Sequence, residues 1–430
     1  MALTWRAVVL AALGIPAVLI VPVPGTVLLW AIVVAAACIL DASLAASPRQ
    51  VAVTRRVPGS VRRGEATASE LEVVNVAPRR LRAVVRDAWP PSSGAVSPRH
   101  AVDLPPGDGT RLRTTLVPTR RGDAHADRVT IRSVGPLGIA ARQASLEVPA
   151  KLRVLPEFAS RRHLPSRLAR LRELDGRAAV QVRGAGTEFD SLREYVIGDD
   201  VRSIDWRASA RRADVVVRTW RPERDRRVLV VLDTGRTSAV RVLDAPRIDA
   251  SIEATLLLTA LATRAGDRVE LVAYDRRVRA RVAGTPGPVL MPAIADALAT
   301  AHPELIETDW SGIVAEVRRR LSQRALVVLL TALDPAAVEQ GLLPVVDQLT
   351  ERHLVLLASV ADPELQELSR GRHDSAAVFD AAAAERVKLE RDAVAARLRR
   401  RGVEVVEALP DDLAPRLADT YLALKAAGRL

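Results

Sequence analysis

The sequence has few cysteines, histidines and aromatic residues, and each scarcity excludes a kind of structure or site. Cys38 is the single cysteine, so no disulfide can form within the chain. The six histidines are scattered, and no Cys/His group has the spacing of a zinc site. Aromatic residues make up 3% of the 430 residues but hydrophobic residues 49%, so the cores must be built from Val, Leu, Ile and Ala.

Lysine is also scarce, which changes how the net charge of +12 is interpreted. A strongly basic chain invites a nucleic-acid partner. Here arginine supplies nearly all of the positive charge, since only Lys151, Lys388 and Lys425 occur, and alanine is abundant. That composition is typical of coding bias in a GC-rich genome. Charges of both signs are interleaved, as in residues 224–227, so we expect no nucleic-acid partner.

Common signatures of catalysis are missing from the sequence. No Gly-rich phosphate loop ends in Gly-Lys-Ser/Thr, and neither a G-x-S-x-G elbow nor a His-Glu-x-x-His motif occurs. No nucleophile and base lie at a recognisable spacing. The sequence therefore favours a binding protein over an enzyme, with a hydrolase of unrecognised type as the weaker alternative.

Charged residues are absent from residues 7–40. One straight helix of that length would reach about 50 Å, whereas the apolar core of a bilayer is about 30 Å thick. The prolines of residues 21–25 interrupt the run. The sequence therefore predicts a transmembrane helical hairpin within residues 1–44, with spans near Ala7–Val21 and Thr26–Leu40.

The flanking charges predict the orientation of this hairpin. Arg6 precedes the first span, the turn is uncharged, and several arginines follow the second span. The positive-inside rule then places both ends, and everything after residue 44, in the cytoplasm. A signal peptide cleaved near Ala45 is the competing interpretation, but the apolar region is too long for one. Because neither span contains an ionisable residue, we expect an anchor without a transport role.

Two kinds of soluble domain follow. Residues 50–156 show short alternating segments separated by Pro/Gly turns, which predicts a small, immunoglobulin-like β-sandwich. Residues 226–430 alternate apolar runs with helical patterns, which predicts a mostly parallel sheet covered on both faces. Residues 157–225 would link the two domains. The predicted strands of the second domain are 228–232, 268–273, 326–330, 354–358 and 403–406, and the predicted helices are 248–263, 335–349, 381–400 and 412–427.

The densest cluster of charged and aromatic residues lies in residues 186–211 and has no simple helical or strand period. Its motifs, in order, are G-x-E-F from Gly186, R-x-Y from Arg193, G-D-D from Gly198, R-x-I-D-W from Arg202, and Ala210-Arg211. This succession resembles the signature of the bacterial family called "domain of unknown function 58". A Pro-Leu-Gly turn at residues 136–138 resembles another turn of that family, with Gly135 and Leu137 in place of its Asp and Phe. The resemblance covers residues 110–240 well.

The signature residues allow more than one role. Their acids and arginines could form a network that locks the two soluble domains together, since buried pairs favour one conformation over others. They could instead form a docking surface for a partner, and a catalytic role for Glu188 or Asp205 is a third interpretation. The candidate residues are Glu188, Phe189, Arg193, Tyr195, Gly198, Asp199, Asp200, Arg202, Asp205, Trp206 and Arg211.

The segment Asp233-Thr234-Gly235-Arg236-Thr237 resembles the D-x-S-x-S loop of von Willebrand factor type A domains. That resemblance implies a Rossmann-like α/β fold with a metal-ion-dependent adhesion site for Mg²⁺, a cation that prefers oxygen ligands. Gly235 lacks the serine hydroxyl of the motif, and Arg236 adds a positive charge. A working site and a vestigial site on an intact fold both stay open. The implied ligands are Asp233, Thr237, Thr308 and Asp334.

The family resemblance also implies a function. Similar proteins are commonly encoded beside MoxR-type AAA+ ATPases, so we expect a membrane-anchored, non-enzymatic adaptor. It would link such an ATPase to membrane or cell-envelope clients. A scaffold of envelope assembly that works without an ATPase is the alternative.

Overall fold

The computed structural model describes residues 2–181, 188–212, 214–221 and 226–430, and it divides the chain into two compact units. Unit 1 is Met1–Glu157 and unit 2 is Phe158–Leu430. Unit 1 combines apolar N-terminal helices with β-sheets, and unit 2 is a mixed α/β structure. The expectation of a mixed α/β protein with a sheet-rich N-terminal domain is confirmed.

The apolar N-terminal region forms three helices, α1 (Trp5–Ala12), α2 (Gly14–Ile20) and α3 (Pro24–Leu44). Helix α3 is long and apolar enough to cross a membrane. Helix α3 begins at Pro24, two residues before the predicted start of the second span at Thr26. Proline is tolerated there because the first N–H groups of a helix have no partner within it. The first predicted span is divided between α1 and α2, which meet at Leu13.

Unit 1 contains two sheets that share one core. The larger sheet has the strand order β1-β10-β9-β5-β7, with β3 also paired to β10, and the smaller has the order β2-β4-β8-β6. Side chains of both sheets meet in one apolar cluster, because alternate residues of each strand face it. The strands are β1 (Ala2–Leu3), β2 (Val51–Arg56), β3 (Ser60–Arg62), β4 (Thr67–Asn75), β5 (Leu81–Asp87), β6 (Ala95–Val96), β7 (Arg99–Leu104), β8 (Gly109–Leu116), β9 (Gly122–Val134) and β10 (Ala140–Leu155).

Unit 2 begins with α4 (Leu164–Gln181), followed by the signature segment. In that segment β11 (Glu188–Glu194) pairs antiparallel with β12 (Val216–Arg221), and α5 (Trp206–Arg212) lies between them in sequence.

The rest of unit 2 is built on a six-stranded sheet of order β17-β16-β13-β18-β19-β20. All neighbouring pairs are parallel except β16 with the edge strand β17. Apolar clusters cover both faces, which is why the central strands read as continuous apolar runs. The strands are β13 (Arg227–Asp233), β14 (Arg241–Val242), β15 (Ala245–Pro246), β16 (Arg268–Tyr274), β17 (Val278–Val282), β18 (Leu326–Leu330), β19 (Leu354–Val360) and β20 (Val403–Ala408).

Of the four helices predicted in this part, one is interrupted, and several other helices of the structure were not predicted. The predicted helix 335–349 is broken into α10, a π-helical stretch at Val338–Leu342, and α11. Pro344 lacks the N–H that a continuous helix would need, so it separates the pieces. The helices are α6 (Arg236–Ala239), α7 (Arg247–Arg264), α8 (Gly287–Ala299), α9 (Trp310–Arg320), α10 (Pro335–Ala337), α11 (Asp347–Thr350), α12 (Pro363–Leu368), α13 (Ser375–Arg400) and α14 (Pro410–Ala426).

Candidate functional site

Asp233 ends the central strand β13 and is the centre of a hydrogen-bonded cluster. Its side chain is almost fully buried, with 2% of the residue exposed. Oδ1 accepts the backbone N–H of Gly235 at 2.8 Å and the Thr308 hydroxyl at 2.6 Å. Oδ2 accepts the hydroxyls of Thr331 at 2.6 Å and Thr237 at 3.3 Å. Three threonines from three separate segments therefore converge on one carboxylate.

The topology of the sheet explains this convergence. Thr331 directly follows β18, which is the parallel neighbour of β13, so the two strands end at the same edge. Thr237 lies on α6, immediately after β13, and Thr308 lies in the loop before α9. Thr237 and Thr308 were predicted from the sequence, whereas Thr331 was not. The signal was present, because a hydroxyl residue that follows an apolar parallel strand lies at the ligand-binding edge.

Asp334, the fourth implied ligand, has a different role. Its Oδ1 accepts the backbone N–H of Ala337 at 2.9 Å, so it is the N-cap of α10. Thr331 lies three residues nearer the end of β18 and provides the contact to Asp233. The structure thus brings Asp233, Thr237 and Thr308 together and gives Asp334 a helix-capping role.

A second buried carboxylate lies at the neighbouring strand end. Asp275, which follows β16, accepts the Thr234 hydroxyl at 3.1 Å and pairs with Arg279. Burial raises the pKa of the Asp275 carboxyl, but hydrogen bonds from the Arg276 N–H, Arg279 and other donors outweigh it and hold the pKa below its usual value. No signal in the sequence distinguished this residue from a turn aspartate.

The pKa of Asp233 is shifted in the direction opposite to that of Asp275. Burial raises the pKa of its carboxyl, and the hydrogen bonds from Thr308, Thr331, the Gly235 N–H and Thr237 only partly oppose this effect. Among the described residues, no Lys, Arg or His side chain forms an ion pair with Asp233 that would balance a negative charge. Two adjacent buried carboxylates are therefore shifted in opposite directions by their surroundings.

The Asp233 cluster lines a cleft of about 260 Å³ at the carboxyl edge of the sheet. On its border Arg236 Nε lies 2.6 Å from Glu307 Oε1, and both side chains are about half exposed. Trp310 and Gly341 form part of the wall. The cleft therefore presents an ion pair and threonine side chains to a ligand or partner, with the carboxylate behind them.

The residues of this cleft do not fit a resident divalent cation. Mg²⁺ usually takes six oxygen ligands, with one or two carboxylates among them. Both oxygens of Asp233 already accept two hydrogen bonds each, and Asp334 caps a helix. Within the described residues, no group of three or more His, Cys, Asp or Glu side chains is placed to hold a metal.

Gly235 shows why the motif's serine is absent. A Cβ at this position would lie 2.1 Å from the Thr308 hydroxyl and 3.1 Å from Asp233 Oδ1. Thr308 therefore occupies the space that a serine side chain would need. The backbone of Gly235 has φ −77°, which any residue adopts, so the requirement for glycine here is one of space alone.

The signature segment is organised by its own acidic residues. Asp199 accepts two hydrogen bonds from Arg193, at 2.7 and 2.6 Å, and one from the Val196 N–H at 3.0 Å. This arrangement closes the turn 196–199, in which Gly198 has a left-handed φ of 112°. The Arg193 side chain, followed by the Val196 N–H, lowers the pKa of the Asp199 carboxyl.

Two more signature acids cap local turns. Asp205 accepts the N–H groups of Arg207 at 3.1 Å and Ala208 at 3.0 Å, and Arg218 Nε donates to it at 2.8 Å. The Ala208 N–H, followed by Arg218, lowers the pKa of the Asp205 carboxyl. Asp200 accepts the Arg202 N–H at 2.9 Å and caps a short 3₁₀ turn. Among the described side chains, Arg193 with Asp199 is an ion pair within the signature, and Arg218, the partner of Asp205, was not predicted from the sequence.

The remaining signature residues are mainly at the surface. Trp206 is 69% exposed, and Arg202 and Arg211 are exposed and make no ion pair with another described side chain. The Tyr195 N–H donates to the Val215 carbonyl at 2.8 Å. Glu188 and Phe189 lie on β11, but their side chains are outside the described part of the chain, as is Gly186. The described acids Asp199, Asp200 and Asp205 are therefore held by local N–H groups and by Arg193 and Arg218, and the side chains of Trp206, Arg202 and Arg211 lie at the surface.

Comparison with known proteins agrees with the signature. The family described as "Protein of unknown function DUF58" matches residues 191–406, just over half of the chain. This chain belongs to that family. It is also similar to the uncharacterized protein YeaD of Bacillus subtilis (strain 168), with 22% identity over 158 residues. That match covers 37% of this chain and 38% of YeaD.

Several solved structures show partial similarity. One is native alpha-2-macroglobulin from Escherichia coli, with 20% identity, a TM-score of 0.21, and coverage of 26% of this chain and 18% of that one. Another is proximal thread matrix protein 1 from the mussel byssus, with 10% identity, a TM-score of 0.27, and coverage of 47% and 46%. These similarities are too low to bear on function.

Proposed function

We propose that this protein is a membrane-anchored, non-enzymatic adaptor that links a MoxR-type AAA+ ATPase to membrane or cell-envelope clients. The observation that carries the proposal is the Asp233 cleft at the carboxyl edge of the unit 2 sheet. Parallel sheets bind their partners at this edge. Here the edge presents hydroxyl and charged groups from the strand ends and the adjacent loops, held in place by hydrogen bonds to Asp233 and by an ion pair.

The state of the Asp233 carboxylate favours binding over catalysis. A carboxylate has about four acceptor positions, and four protein donors already use them. Such a group holds the three loops in place instead of receiving a proton from a substrate. An aspartate at the end of the first sheet strand, with hydroxyls from neighbouring loops, supports a von Willebrand A-like domain whose metal site is vestigial. The ion pair of Arg236 and Glu307 would then provide the polar contact with a partner.

The N-terminal helices support the membrane anchor. Only 17% of the most apolar stretch of α3 is buried, whereas a core helix of a soluble protein would be mostly buried. Helices α1 and α3 run in opposite directions, since Thr4, just before α1, and Asp41, near the end of α3, both hydrogen-bond to the segment 139–140. Trp30 packs on Gly14 and donates through Nε1 to the Leu10 carbonyl at 3.3 Å. These contacts support a two-span hairpin, with the soluble units cytoplasmic by the positive-inside rule.

Crosslinked affinity purification of the full chain from native membranes, followed by mass spectrometry, tests the proposal. Arg236→Glu places two negative charges together at the border of the cleft, and the double variant Arg236→Glu/Glu307→Arg restores an ion pair in reverse. Arg386→Glu is a matched control, because Arg386 is an exposed arginine paired with Glu390 on α13.

We expect an AAA+ ATPase to be recovered with the wild type and with Arg386→Glu and to be lost with Arg236→Glu. If the double variant recovers the ATPase, the partner requires an ion pair at this position in either orientation. If it does not, the partner requires the native orientation of the pair. If envelope proteins are recovered without an ATPase, and equally with every variant, the adaptor proposal is wrong and a scaffold of envelope assembly is favoured.

A further inference from the structure

Asp41, in the last turn of α3, is fully buried and binds the turn between β9 and β10. Oδ1 accepts the backbone N–H of Leu137 at 2.7 Å, and Oδ2 accepts those of Ile139 and Ala140, each at 2.8 Å. Hydrogen bonds to a charged acceptor are about twice as strong as neutral ones. Three of them from one short turn hold it firmly against the end of the apolar helix.

The other end of the helical pair holds the same turn. The Thr4 hydroxyl donates to the Gly138 carbonyl at 2.6 Å, and the Thr4 N–H donates to the Ile139 carbonyl at 3.0 Å. Arg6 Nη1 donates to the Leu137 carbonyl at 3.2 Å. The turn of residues 135–139 is therefore level with the first residues of α1 and the last residues of α3.

The surface of this region is apolar and exposed. Leu137, at the tip of the turn, is 53% exposed, and Trp5, at the start of α1, is 72% exposed. Exposed apolar side chains continue from there along both helices, including Val8 on α1 and Leu40 on α3. Arg6 lies 5.9 Å from the centre of the Trp5 ring. Tryptophan and arginine beside aliphatic residues are typical of the boundary between headgroups and acyl chains.

We propose that the β9–β10 turn lies in the interfacial layer of the membrane and forms a lipid contact of its own, with Leu137 directed into that layer. Asp41 is the positioning residue: it fixes the depth of the turn relative to the helices. The occupant of this surface is a lipid bilayer, because the apolar strip is continuous with the surface of α3 that the bilayer would cover. The inference rests on the proposed membrane anchoring.

Depth-dependent fluorescence quenching of the full chain in vesicles of phosphatidylcholine and phosphatidylglycerol tests it. A Cys38→Ala background removes the single cysteine and allows one label per variant. Leu137→Cys reports on the turn, and Leu29→Cys, an exposed position on α3, reports on the anchor. Nitroxides are placed on the lipid headgroup or deep in the acyl chain.

Val96→Cys is the matched control. Val96 is exposed on β6, which pairs with the end of β8 that lies opposite Thr67. Asn75, at the other end of β4, is followed by a loop in which Arg79 donates to the Ser43 carbonyl of α3 at 2.7 Å. The length of β4, nine residues or about 30 Å, therefore separates the control from the helix end.

We expect a blue-shifted emission for the Leu137 label, with loss of most of its intensity to the headgroup nitroxide and less to the deep one. The Leu29 label should show the reverse order, and the Val96 label should respond to neither. If Leu29 is quenched and Leu137 is not, the inference fails while the anchor stands. A Leu137 label that is blue-shifted without quenching would mean that protein covers the turn, which also overturns the inference. If neither is quenched, the anchor itself is wrong.

Discussion

The Thr331 hydroxyl donates to Asp233 Oδ2 over 2.6 Å and thereby joins the ends of the two central strands, β18 and β13. The two residues are 98 positions apart in the sequence. Both are buried, so the hydrogen bond cannot be exchanged for one to water. The cleft proposed as a docking site therefore depends on this pair for the relative position of its walls.

Thr331→Val should lower the free energy of unfolding by about 1–3 kcal/mol, since it leaves a buried acceptor without its donor at nearly constant shape. Thr237→Val should lower the free energy of unfolding by less, because the Thr237 hydroxyl lies 3.3 Å from Asp233 and its hydrogen bond is weaker. Urea unfolding of the detergent-solubilised full chain provides the comparison. Equal effects of the two substitutions would contradict the dominant role given to Thr331.

Gly235→Ser restores the serine of the adhesion motif and should nevertheless destabilise the protein. The new Cβ would approach the Thr308 hydroxyl to 2.1 Å, so the loop or Thr308 must move. The double variant Gly235→Ser/Thr308→Ala should lose less stability than the sum of the losses of the two single variants, because the alanine removes the atom with which the serine collides. Gly59→Ser is the control, since nothing lies within 4 Å of a Cβ built there. Thermal unfolding of the four variants tests this, and strict additivity would argue against a steric clash.

Magnesium should bind weakly if at all, because the oxygens of Asp233 are used by protein donors. We expect isothermal titration of the full chain with MgCl₂ to give no heat of binding beyond dilution, with Asp233→Asn indistinguishable from the wild type. Tight binding that Asp233→Asn abolishes would show that the threonine hydroxyls form a working site.

Asp205→Ala should weaken the start of α5 more than Asp205→Asn, because an asparagine oxygen can still accept the N–H groups of Arg207 and Ala208. Hydrogen exchange at those two amides is the direct measurement. The pKa of Asp205 is lower in the folded state than in the unfolded chain. The carboxylate therefore contributes its full stabilisation at pH values above the unfolded-state pKa of about 3.9, and this contribution is lost as the pH falls through the folded-state pKa. Protection that is independent of pH across this range would contradict the assignment.

His353→Leu should stabilise the protein and reduce its sensitivity to mild acid. His353 is 5% exposed, and among the described residues neither ring nitrogen has a hydrogen-bond partner. Burial, with a smaller contribution from Arg352, lowers its pKa from 6.5. The unfolded chain therefore binds a proton first, and stability falls as pH drops below 6.5 until the folded pKa is passed.

The gain for His353→Leu should be about 1 kcal/mol at neutral pH, the cost of an unpaired buried polar group, and larger at pH below 6.5. Urea midpoints measured across this range, with the exposed His373→Leu as the control, test it. An equal pH slope in the wild type and His353→Leu would show that another group causes the acid sensitivity.

The apolar pattern was sufficient to predict most strands of the unit 2 sheet. The run 228–232 lies within β13 and the run 326–330 coincides with β18, because strands buried on both faces admit almost no polar residue. The edge strand β17 was not predicted. Its sequence, Val-Arg-Ala-Arg-Val, alternates and is only half-buried, so its position depends on pairing with β16.

Asp233, Thr237 and Thr308 of the candidate site were predicted from the sequence, whereas Thr331, which directly follows β18, was not. Asp233 and Thr237 belong to one short segment whose residue types carry the resemblance to an adhesion motif. Thr331 and Asp334 lie three positions apart in one loop. Only the path of that loop decides that the Thr331 side chain reaches the Asp233 carboxylate and that Asp334 caps a helix.

By itself the sequence determined the elements and the family, because periodicity, uninterrupted apolar runs and a local signature are properties of neighbouring residues. Only the tertiary structure decided which polar groups pair. Asp41 meets the turn at Leu137 across 96 residues, and Asp205 pairs with Arg218 instead of an arginine of its own signature. Such partners are selected by burial and by the directions of the strands that carry them, and neither leaves a periodic trace in the sequence.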